Sequence, residues 1–427
     1  MRFDRRISLL VLACIGFGKD AAAAEWALKG SLGQQLQYND NIALSTIRKD
    51  SVVGYLLTPS LQASRKTGAL DIAFVGQGDI RRYDDSSWNC DNYNLGLNNA
   101  YRAKRSVFSL SGGYAVSCSY SQQIQDTGRL VPNNQSINYS LKPSWTWQWS
   151  SRDQLILNTS YSKTSFSNSQ GGFVSSTNNG FSGNDTYTVN LGGNHEWSRR
   201  LSLNGKINFS NIQYTGSNAS TQNSGSNPST QNLFGFQLGA NYLINRLWTV
   251  SARGGPLWVD TRQSSDGFSS GQNSSLSLGN VANINISYKD RLTQFSAGYS
   301  NAVNPSAIGQ TLQTHSIFAN YSYQLAQHLL LDLSSNFTLS KSIGGQSTDN
   351  LTSQFDRSYF TGAAGITWEL AKNWKLKGSY IYSWQDYQQD QNVQILNTVN
   401  NLNVGTTDSN LVMLSLNYSW DGIRESR

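Results

Sequence analysis

Three histidines are the first candidates for chemistry, because a serine hydrolase needs a base within hydrogen-bond reach of its nucleophile. His195 has the same odd–even parity as the apolar Trp197, and His315 has the same parity as Ile317. Both are therefore predicted to lie on the apolar face of their strands. His328 falls in a short turn. Because no histidine falls among the polar side chains, the sequence indicates that the protein is not an enzyme.

The sequence offers no conventional metal or cofactor motif. It contains no Cys–His cluster with zinc-ligand spacing, no Gly-rich phosphate loop and no His-Glu-x-x-His run. No metal and no cofactor are predicted. Asp40 and Asn41, with Asp50 nearby, have side chains that could bind calcium or a sugar. An Asn-Asp-Asn run is more often a solvated turn, and that interpretation is favoured.

Cys90 and Cys118 lie almost symmetrically about a predicted short turn at residues 103–105. This spacing brings them to the same end of two adjacent strands, and an exported protein can form disulfides. Strand parity puts the two side chains on opposite faces. A disulfide is therefore possible if Cys90 lies on irregular chain, and two separate thiols are the alternative.

The elements that must position any site are strands, as the segment from Phe360 to Trp384 indicates. From Trp374 onward every second residue is apolar, aromatic or Gly, and most residues between them are Lys or Ser. Alternation with a period of two predicts a strand with one apolar and one polar face. Aromatic residues at both ends of the apolar face are typical of a membrane-spanning barrel strand, with lipid outside and water inside.

The same hairpin recurs from Trp26 to Trp420 and gives about 18 strands of ~9–11 residues. Connections between strands alternate strictly between short and long, as periplasmic turns and outer loops do in bacterial outer-membrane barrels. The fold prediction is an all-β, closed antiparallel transmembrane barrel with both termini on the periplasmic side. The short turns are predicted near residues 65–68, 103–105, 150–153, 198–200, 244–246, 289–291, 325–328 and 371–373.

The chain is predicted to be one exported domain. Residues 1–24 have the positive start, apolar stretch and small-residue end of a signal peptide. A lipoprotein site at Cys14 is the less favoured alternative for processing. The barrel is predicted at residues 25–420, followed by a periplasmic C-terminal tail at residues 421–427. The predicted location is the bacterial outer membrane.

The polar faces of the strands predict the lining of a lumen, which is rich in amides and poor in charge. Amides and hydroxyls exchange hydrogen bonds with water and with sugar hydroxyls without binding either tightly, as a conduit requires. A water-filled lumen would be polar for that reason alone, so both interpretations stand. The predicted lumen-lining residues are Lys29, Gln35, Gln37, Asp71, Gln77, Asp79, Lys142, Asn158, Asn190, Asn194, Asn204, Lys206, Asn208, Gln237, Asn241, Arg253, Asn283, Asn285, Asn320, Lys375 and Lys377.

The net charge of +7 does not indicate nucleic acid as a partner. Much of the positive charge falls in the short turns, and no basic cluster with interleaved aromatic residues occurs. Outer-membrane lipid is the predicted partner, with polysaccharide as a further candidate. The alternating strand Leu414–Trp420 looks like the C-terminal signal of the barrel-assembly machinery, although seven residues follow it.

One stretch carries a family resemblance. The residues Tyr38–Ile42, Leu57–Leu61 and Asp79–Tyr83 resemble the outer-membrane β-barrel porin family of exopolysaccharide and exosortase (PEP-CTERM) gene clusters. In that family an Asp-Asn step closes the first strand and a Pro-x-Leu strand follows. The resemblance covers about the first 85 residues and implies a role in moving or secreting polysaccharide across the outer membrane. It carries no catalytic residue.

These observations predict a passive outer-membrane pore for hydrophilic solutes, with saccharide or exopolysaccharide as cargo. The alternative is a structural or adhesive barrel that acts through its long polar loops. A lipid-modifying enzyme ranks third, because no serine and histidine are predicted to meet.

Overall fold

The computed structural model describes residues 24–46, 49–118, 134–168, 183–215, 229–263, 273–305, 311–343, 357–387 and 405–426. Within these ranges no helix is long and apolar enough to cross a membrane. In the described part of the chain, one 3₁₀ turn, Ser86–Trp88, interrupts the succession of strands. The strands are β1 Glu25–Asn39, β2 Val52–Lys66, β3 Leu70–Tyr83, β4 Cys90–Arg102, β5 Ser106–Ser117, β6 Asn134–Gln148, β7 Asp153–Asn168, β8 Gly183–Glu196, β9 Leu201–Thr215, β10 Ser229–Leu243, β11 Trp248–Gln263, β12 Asn273–Lys289, β13 Thr293–Pro305, β14 Thr311–Ala326, β15 Leu329–Ile343, β16 Arg357–Ala371, β17 Trp374–Tyr387 and β18 Gly405–Ser426.

The strands form one closed barrel. Each strand pairs antiparallel with the next in sequence, and β1 pairs with both β2 and β18, so the 18-stranded sheet returns to its start. Closure gives the first and last strands the backbone partners that an open sheet would lack. The prediction of an all-β, closed antiparallel barrel of about 18 strands is confirmed.

The connections lie at two distinct ends of the barrel. At the end that carries both termini, here called the turn end, successive strands are separated by two to four residues. Ser150, Ser198 and Asn245 close three of these turns by accepting backbone N–H groups with their side-chain oxygens. The longer connections all lie at the opposite end, the loop end. The predicted alternation of short and long connections is confirmed.

The two faces of the wall follow from the strand register, because directly opposed residues lie on the same side of a sheet. Leu36 is opposite Tyr55 on one side and Leu414 on the other, and all three are exposed apolar side chains. Gln35 and Ser415, one residue away, are paired on the reverse side of the wall. We call these the outer face and the inner face.

Aromatic side chains on the outer face form two rows. Trp248 and Tyr288 meet at 4.9 Å near the turn end, and Phe234 and Trp258 meet at 5.8 Å nearer the loop end. Trp248 and Trp258 are ten residues apart on β11. At ~3.3 Å per residue and a tilt of ~40°, this separates the rows by about 25 Å, which is the height of an outer-membrane apolar band.

The predicted tail at residues 421–427 is not a separate segment as far as it is described. β18 continues past Trp420 to Ser426, and Ile423 to Ser426 pair with Leu28 to Glu25. The physical reason is that the first residues of β1 would otherwise lack backbone partners on this side. The register shifts at Leu28, where Gly422 has a φ of 79° and an added Cβ would collide with the carbonyl oxygen of Leu28.

The buried apolar side chains do not form one central core. In the described residues they form two clusters. The first comprises Ile42, Val52, Trp88, Cys90 and Cys118, and the second comprises Ile212, Tyr214, Leu233, Leu257 and Val259. Each cluster fixes a segment of chain against the inner face at the loop end. The clusters therefore shape the interior of the barrel.

Candidate functional site

The predicted lumen-lining residues all lie on the inner face, as the strand registers require. They form three groups, on β1–β3, on β6–β12 and on β14 with β17. The members are Lys29, Gln35, Gln37, Asp71, Gln77 and Asp79; then Lys142, Asn158, Asn190, Asn194, Asn204, Lys206, Asn208, Gln237, Asn241, Arg253, Asn283 and Asn285; and finally Asn320, Lys375 and Lys377.

The second group forms a continuous patch of amides that includes three cations, Lys142, Lys206 and Arg253. Asn190 is opposite Asn158 on one side and Asn208 on the other. Arg253 on β11 reaches past β10 and donates from Nε to Oδ1 of Asn204 on β9 at 2.9 Å. Gly239 on β10 permits this crossing, because an added Cβ there would lie 2.7 Å from Asn204 Oδ1 and 2.9 Å from Arg253 Cβ.

The sequence reasoning missed several charged residues of the inner face. These residues lie at or near the ends of their strands, outside the central alternating segments. Applying the same odd–even parity up to the strand ends would have assigned them to the inner face. Two of the missed residues neutralise predicted lumen charges: Arg102 pairs with Asp71 at 2.5 Å and Glu369 pairs with Lys375 at 2.6 Å. The missed residues are Glu25, Lys66, Arg81, Arg102, Lys289, Arg357, Glu369 and Arg424.

A second region of the inner face is uncharged. Phe318 on β14 lies flat against β13, where its Cζ is 2.7 Å from the position of a Cβ added to Gly298. Hydroxyls and amides surround this ring and border a cavity of about 410 Å³. An aromatic ring among neutral hydrogen-bonding groups offers both contacts that a sugar uses, with its C–H face and its hydroxyls. The polar residues around the ring are Ser300, Ser316, Asn320, Ser334, Asn336 and Thr361.

The first loop, described at residues 40–46 and 49–51, is fastened to β18. Asn41 is fully buried and donates to Thr407 Oγ1 at 3.0 Å and to the carbonyl oxygen of Asp408 at 2.9 Å. Asp40 accepts two hydrogen bonds from Asn410, each at 2.7 Å. Lys49 pairs with Asp408 at 2.6 Å, and this hydrogen bond raises the pKa of Lys49. The interpretation of Asn39-Asp40-Asn41 as a solvated turn is wrong, because these side chains anchor the loop.

Cys90 and Cys118 are joined by a disulfide, with their Cα atoms 6.1 Å apart. The sequence predicted that a disulfide would need Cys90 to lie on irregular chain. In the structure the residue on irregular chain is Cys118. Cys90 begins β4, whereas Cys118 follows the end of β5 at Ser117 and donates its backbone N–H to Asn92 Oδ1 at 3.0 Å. Ile42 of the first loop packs in the cluster that contains the disulfide.

A second segment enters the interior from β13 and β14. These strands pair with each other up to Pro305 and Thr311, but the β12–β13 ladder ends at Ala282 and Asn301. Thr311 is fully buried and contacts two inner-face residues, Gln231 on β10 and Tyr214 on β9. The last residues of the hairpin, 302–305 and 311–313, are called the hairpin end. The hairpin end narrows the lumen at the loop end.

The histidines lie where the sequence predicted, and their neighbours do not form a hydrolase site. His195 and Asp153 meet at 2.7 Å on the outer face, and Ser150 donates to the same carboxylate at 2.5 Å. The carboxylate thus lies between serine and histidine, so the imidazole has no serine proton to accept. His315 bonds to Tyr299 on the outer face. The described residues contain no group of three His, Cys, Asp or Glu that could hold a metal.

Comparisons with known proteins identify the fold but no family. No protein-family model matches the sequence, and no curated protein sequence matches it. The crystal structure of Acinetobacter baumannii OccAB4 is similar with a TM-score of 0.50 and 10% identity, covering 94% of this chain and 100% of that chain. The siderophore receptor PirA from Acinetobacter baumannii is similar with a TM-score of 0.50 and 10% identity, over 92% of this chain and 80% of that chain. At this identity the similarity shows the fold alone, and this chain has the barrel fold of these two proteins.

Proposed function

We propose that the protein is a passive pore of the bacterial outer membrane for small hydrophilic solutes, and that saccharides are its preferred cargo. The observation that carries this proposal is the inner face, which is lined by amides and hydroxyls with a minority of charges. Water and sugars can exchange hydrogen bonds along such a wall without being held tightly. An 18-stranded barrel is wide enough for an aqueous channel between its walls.

The outer face supports the proposed location. Its two aromatic rows are separated by the height of an outer-membrane apolar band, and apolar side chains such as Leu238 and Ile284 are exposed between them. In water such a surface would drive aggregation, whereas in a bilayer it is solvated. The short connections then face the periplasm and the longer connections face outward.

The cargo class is argued from two parts of the lumen. The uncharged region around Phe318 suits neutral sugars, since a ring and hydroxyl partners are available together. The patch that contains Lys206 and Arg253 adds positive charge, and neither cation makes an ion pair within the described ranges. Acidic sugars are therefore tolerated better than cations. The family resemblance near the N-terminus supports an exported polysaccharide as the natural cargo.

Planar-bilayer recordings test the pore. The purified protein is expected to insert with stable, ohmic current steps and a weak preference for anions, because unpaired cations line the wall. A variant with a shortened hairpin end serves as the control for a constricted lumen. If both the native protein and this variant insulate the bilayer, the proposed pore is wrong.

Sugar block tests the cargo. A neutral oligosaccharide added to one side is expected to reduce the current, and Phe318→Ala should raise the half-blocking concentration about 3- to 10-fold, through loss of an aromatic contact. Phe337→Ala is the matched control, because Phe337 lies on the outer face of the adjacent strand β15. If Phe318→Ala and Phe337→Ala have equal half-blocking concentrations, Phe318 does not contact the sugar. The proposed pore function would not be affected by that result.

A further inference from the structure

The wall of the barrel is incomplete between β12 and β13. Residues 273–281 of β12 pair with β11 on one side, but no described strand pairs with them on the other. An unpaired strand edge has backbone N–H and C=O groups that require partners, and lipid supplies none. At nine residues this one-sided edge is longer than other one-sided stretches of the described wall, such as residues 405–410 of β18, which pair with β17 but not with β1.

The gap lies at the loop-end aromatic row. Leu278 of β12 is opposite Trp258 of that row, and the β12–β13 ladder resumes only at Ala282. Leu278 and Leu276 are 70% and 74% exposed, among the most exposed apolar side chains of the described wall. The gap is thus at the outer edge of the apolar band, where a wall segment can move without crossing the hydrocarbon interior.

The described residues that would continue this ladder, 302–305, lie inside the barrel. Val303 of β13 packs against the second apolar cluster, on the inner surface of β9–β11. Its Cγ2 is 3.9 Å from the position of a Cβ added to Gly279, which projects from the inner face of β12. The hairpin end therefore lies across the inner face of the strand whose edge it leaves unpaired.

The register of the ladder also fits a second position. Asn301 is opposite Ala282, so continuing the ladder would place Val303 opposite Asn280 and Asn304 opposite Gly279. In that position Val303 would face outward beside the apolar band and Asn304 would face the lumen. The residue types of the hairpin end therefore suit the wall as well as the interior.

Amide hydrogen bonds hold the present bend, in addition to the packing of Val303 on the second apolar cluster. Asn301 donates to Asn280 Oδ1 at 2.5 Å, and Gln313 donates to both of these side chains at 3.0 Å. These three amides lie where β13 leaves β12, and Thr311 adds the contact to Gln231. Amide hydrogen bonds of this kind exchange readily with water and backbone partners, so the bend is not covalently or ionically fixed within the described residues.

We propose that the hairpin end is a gate with two positions. In the inward position it packs on the second apolar cluster and narrows the lumen. In the wall position residues 302–305 extend the β12–β13 ladder opposite residues 278–281, which shortens the gap and widens the lumen. The movement follows from the wall geometry alone, whereas its effect on solute flux rests on the proposed pore function.

Two cysteine pairs that share one residue distinguish the positions. Gly279→Cys with Val303→Cys should form a disulfide in the inward position, because residue 279 faces the lumen. Asn280→Cys with Val303→Cys should form one only in the wall position, because a shift of one residue changes the face of the strand. Leu276→Cys with Val303→Cys is the matched control, since these residues are not opposed in either position.

The readouts are loss of maleimide-reactive thiols under mild oxidation and single-channel conductance. We expect both test pairs to oxidise, the 280–303 pair more slowly, and the control pair to stay reduced. Locking the 280–303 pair should raise conductance by about two-fold, because the lumen loses its constriction. If the 279–303 pair stays reduced, the inward position is wrong. If the 280–303 pair stays reduced, or the control oxidises equally fast, the gate is wrong.

The outcomes separate the two proposals. If the 280–303 pair oxidises and no variant conducts, the movement stands and the pore fails. If every variant conducts equally, the movement does not gate the pore. Reduction should restore the native current in the locked variants. The Val303→Cys single variant, treated in the same way, controls for reduction of the Cys90–Cys118 disulfide.

Discussion

Arg253 crosses a neighbouring strand because residue 239 on that strand is a glycine. The guanidinium thereby reaches Asn204 and stays near Lys206, so positive charge concentrates on one side of the lumen. Screening weakens the field of a single charge over ~8 Å at physiological salt, and a lumen of 18 strands is wider than that. Ion preference should therefore depend on few residues and should remain modest.

The first prediction concerns Arg253→Gln. Removing this charge should lower the anion-to-cation permeability ratio about two-fold, because one of the unpaired cations of the wall is lost. The measurement is the zero-current potential across a bilayer with a salt gradient. Arg262→Gln is the matched control, since Arg262 is on the outer face of the same strand and pairs with Asp260 at 3.1 Å. An equal shift in both variants would show that the wall charge does not set ion preference.

At the residue scale, the sequence could predict which side chains face inward but not how they meet. Parity alone assigns a face, and Asn190 or Lys206 follow from it because their strands are regular. The contact from Arg253 to Asn204 could not be predicted, because it depends on a glycine on the neighbouring strand and on an acceptor two strands away. The charge of Arg102 was missed because it lies at the last residue of β4.

Two elements at the loop end fold inward, and each does so through contacts between residues far apart in sequence. The first loop depends on Asn41, which bonds to Thr407 and Asp408 of β18. The hairpin end depends on Thr311, which contacts Gln231 of β10. Short and long connections could be predicted from spacing. Their direction could not, because it is decided by partners that the local pattern does not identify.

The second prediction concerns the first loop and the variant Asn41→Ala. The change removes buried hydrogen bonds and leaves their partners unsatisfied, so the local free energy of opening should fall by about 2 kcal/mol. The backbone amides of Ile42 and Leu44, which bond to Asp50 and Asn41, should then exchange with deuterium about 30-fold faster. Hydrogen exchange of the folded protein measures this.

The matched control for the loop is Lys49→Ala. It breaks the ion pair between Lys49 and Asp408, whose side chains are 54% and 41% exposed, respectively. Exposed ion pairs of this kind contribute only ~0–1 kcal/mol to stability. Exchange at Ile42 should change little. If Lys49→Ala accelerates exchange as much as Asn41→Ala does, the loop is held by charge and not by the buried amide.

For the whole molecule, closure depends on the pairing of the two ends of the described chain. β1 pairs with β18 along its length, and the first residues of β1 pair with the last residues of β18. The sequence predicted the strand that ends at Trp420, because alternation there is regular. It did not predict the continuation, because the shift at Gly422 breaks the period of two. A break in alternation therefore marks a bulge here and not the end of the strand.

The last prediction concerns a chain that ends at Trp420. Truncation removes the pairs of Glu25, Trp26, Ala27 and Leu28 with β18 but leaves the rest of the ladder intact. The aromatic end of the predicted assembly signal is retained, so the barrel should still insert and conduct. Loss of about four backbone hydrogen bonds should lower the free energy of unfolding by roughly 2–6 kcal/mol. Urea unfolding in lipid vesicles measures this difference.

A double variant, Arg424→Ala with Glu425→Ala, separates backbone pairing from side-chain contacts in the same segment. It keeps the length of β18, so stability should stay within about 1 kcal/mol of the native protein if the ladder is the stabilising feature. If the truncated chain and the double variant lose equal stability, side-chain contacts of this segment, and not its backbone pairing, stabilise the barrel. If the truncated chain fails to insert, residues beyond Trp420 belong to the assembly signal. The prediction that this signal ends at Trp420 is then wrong.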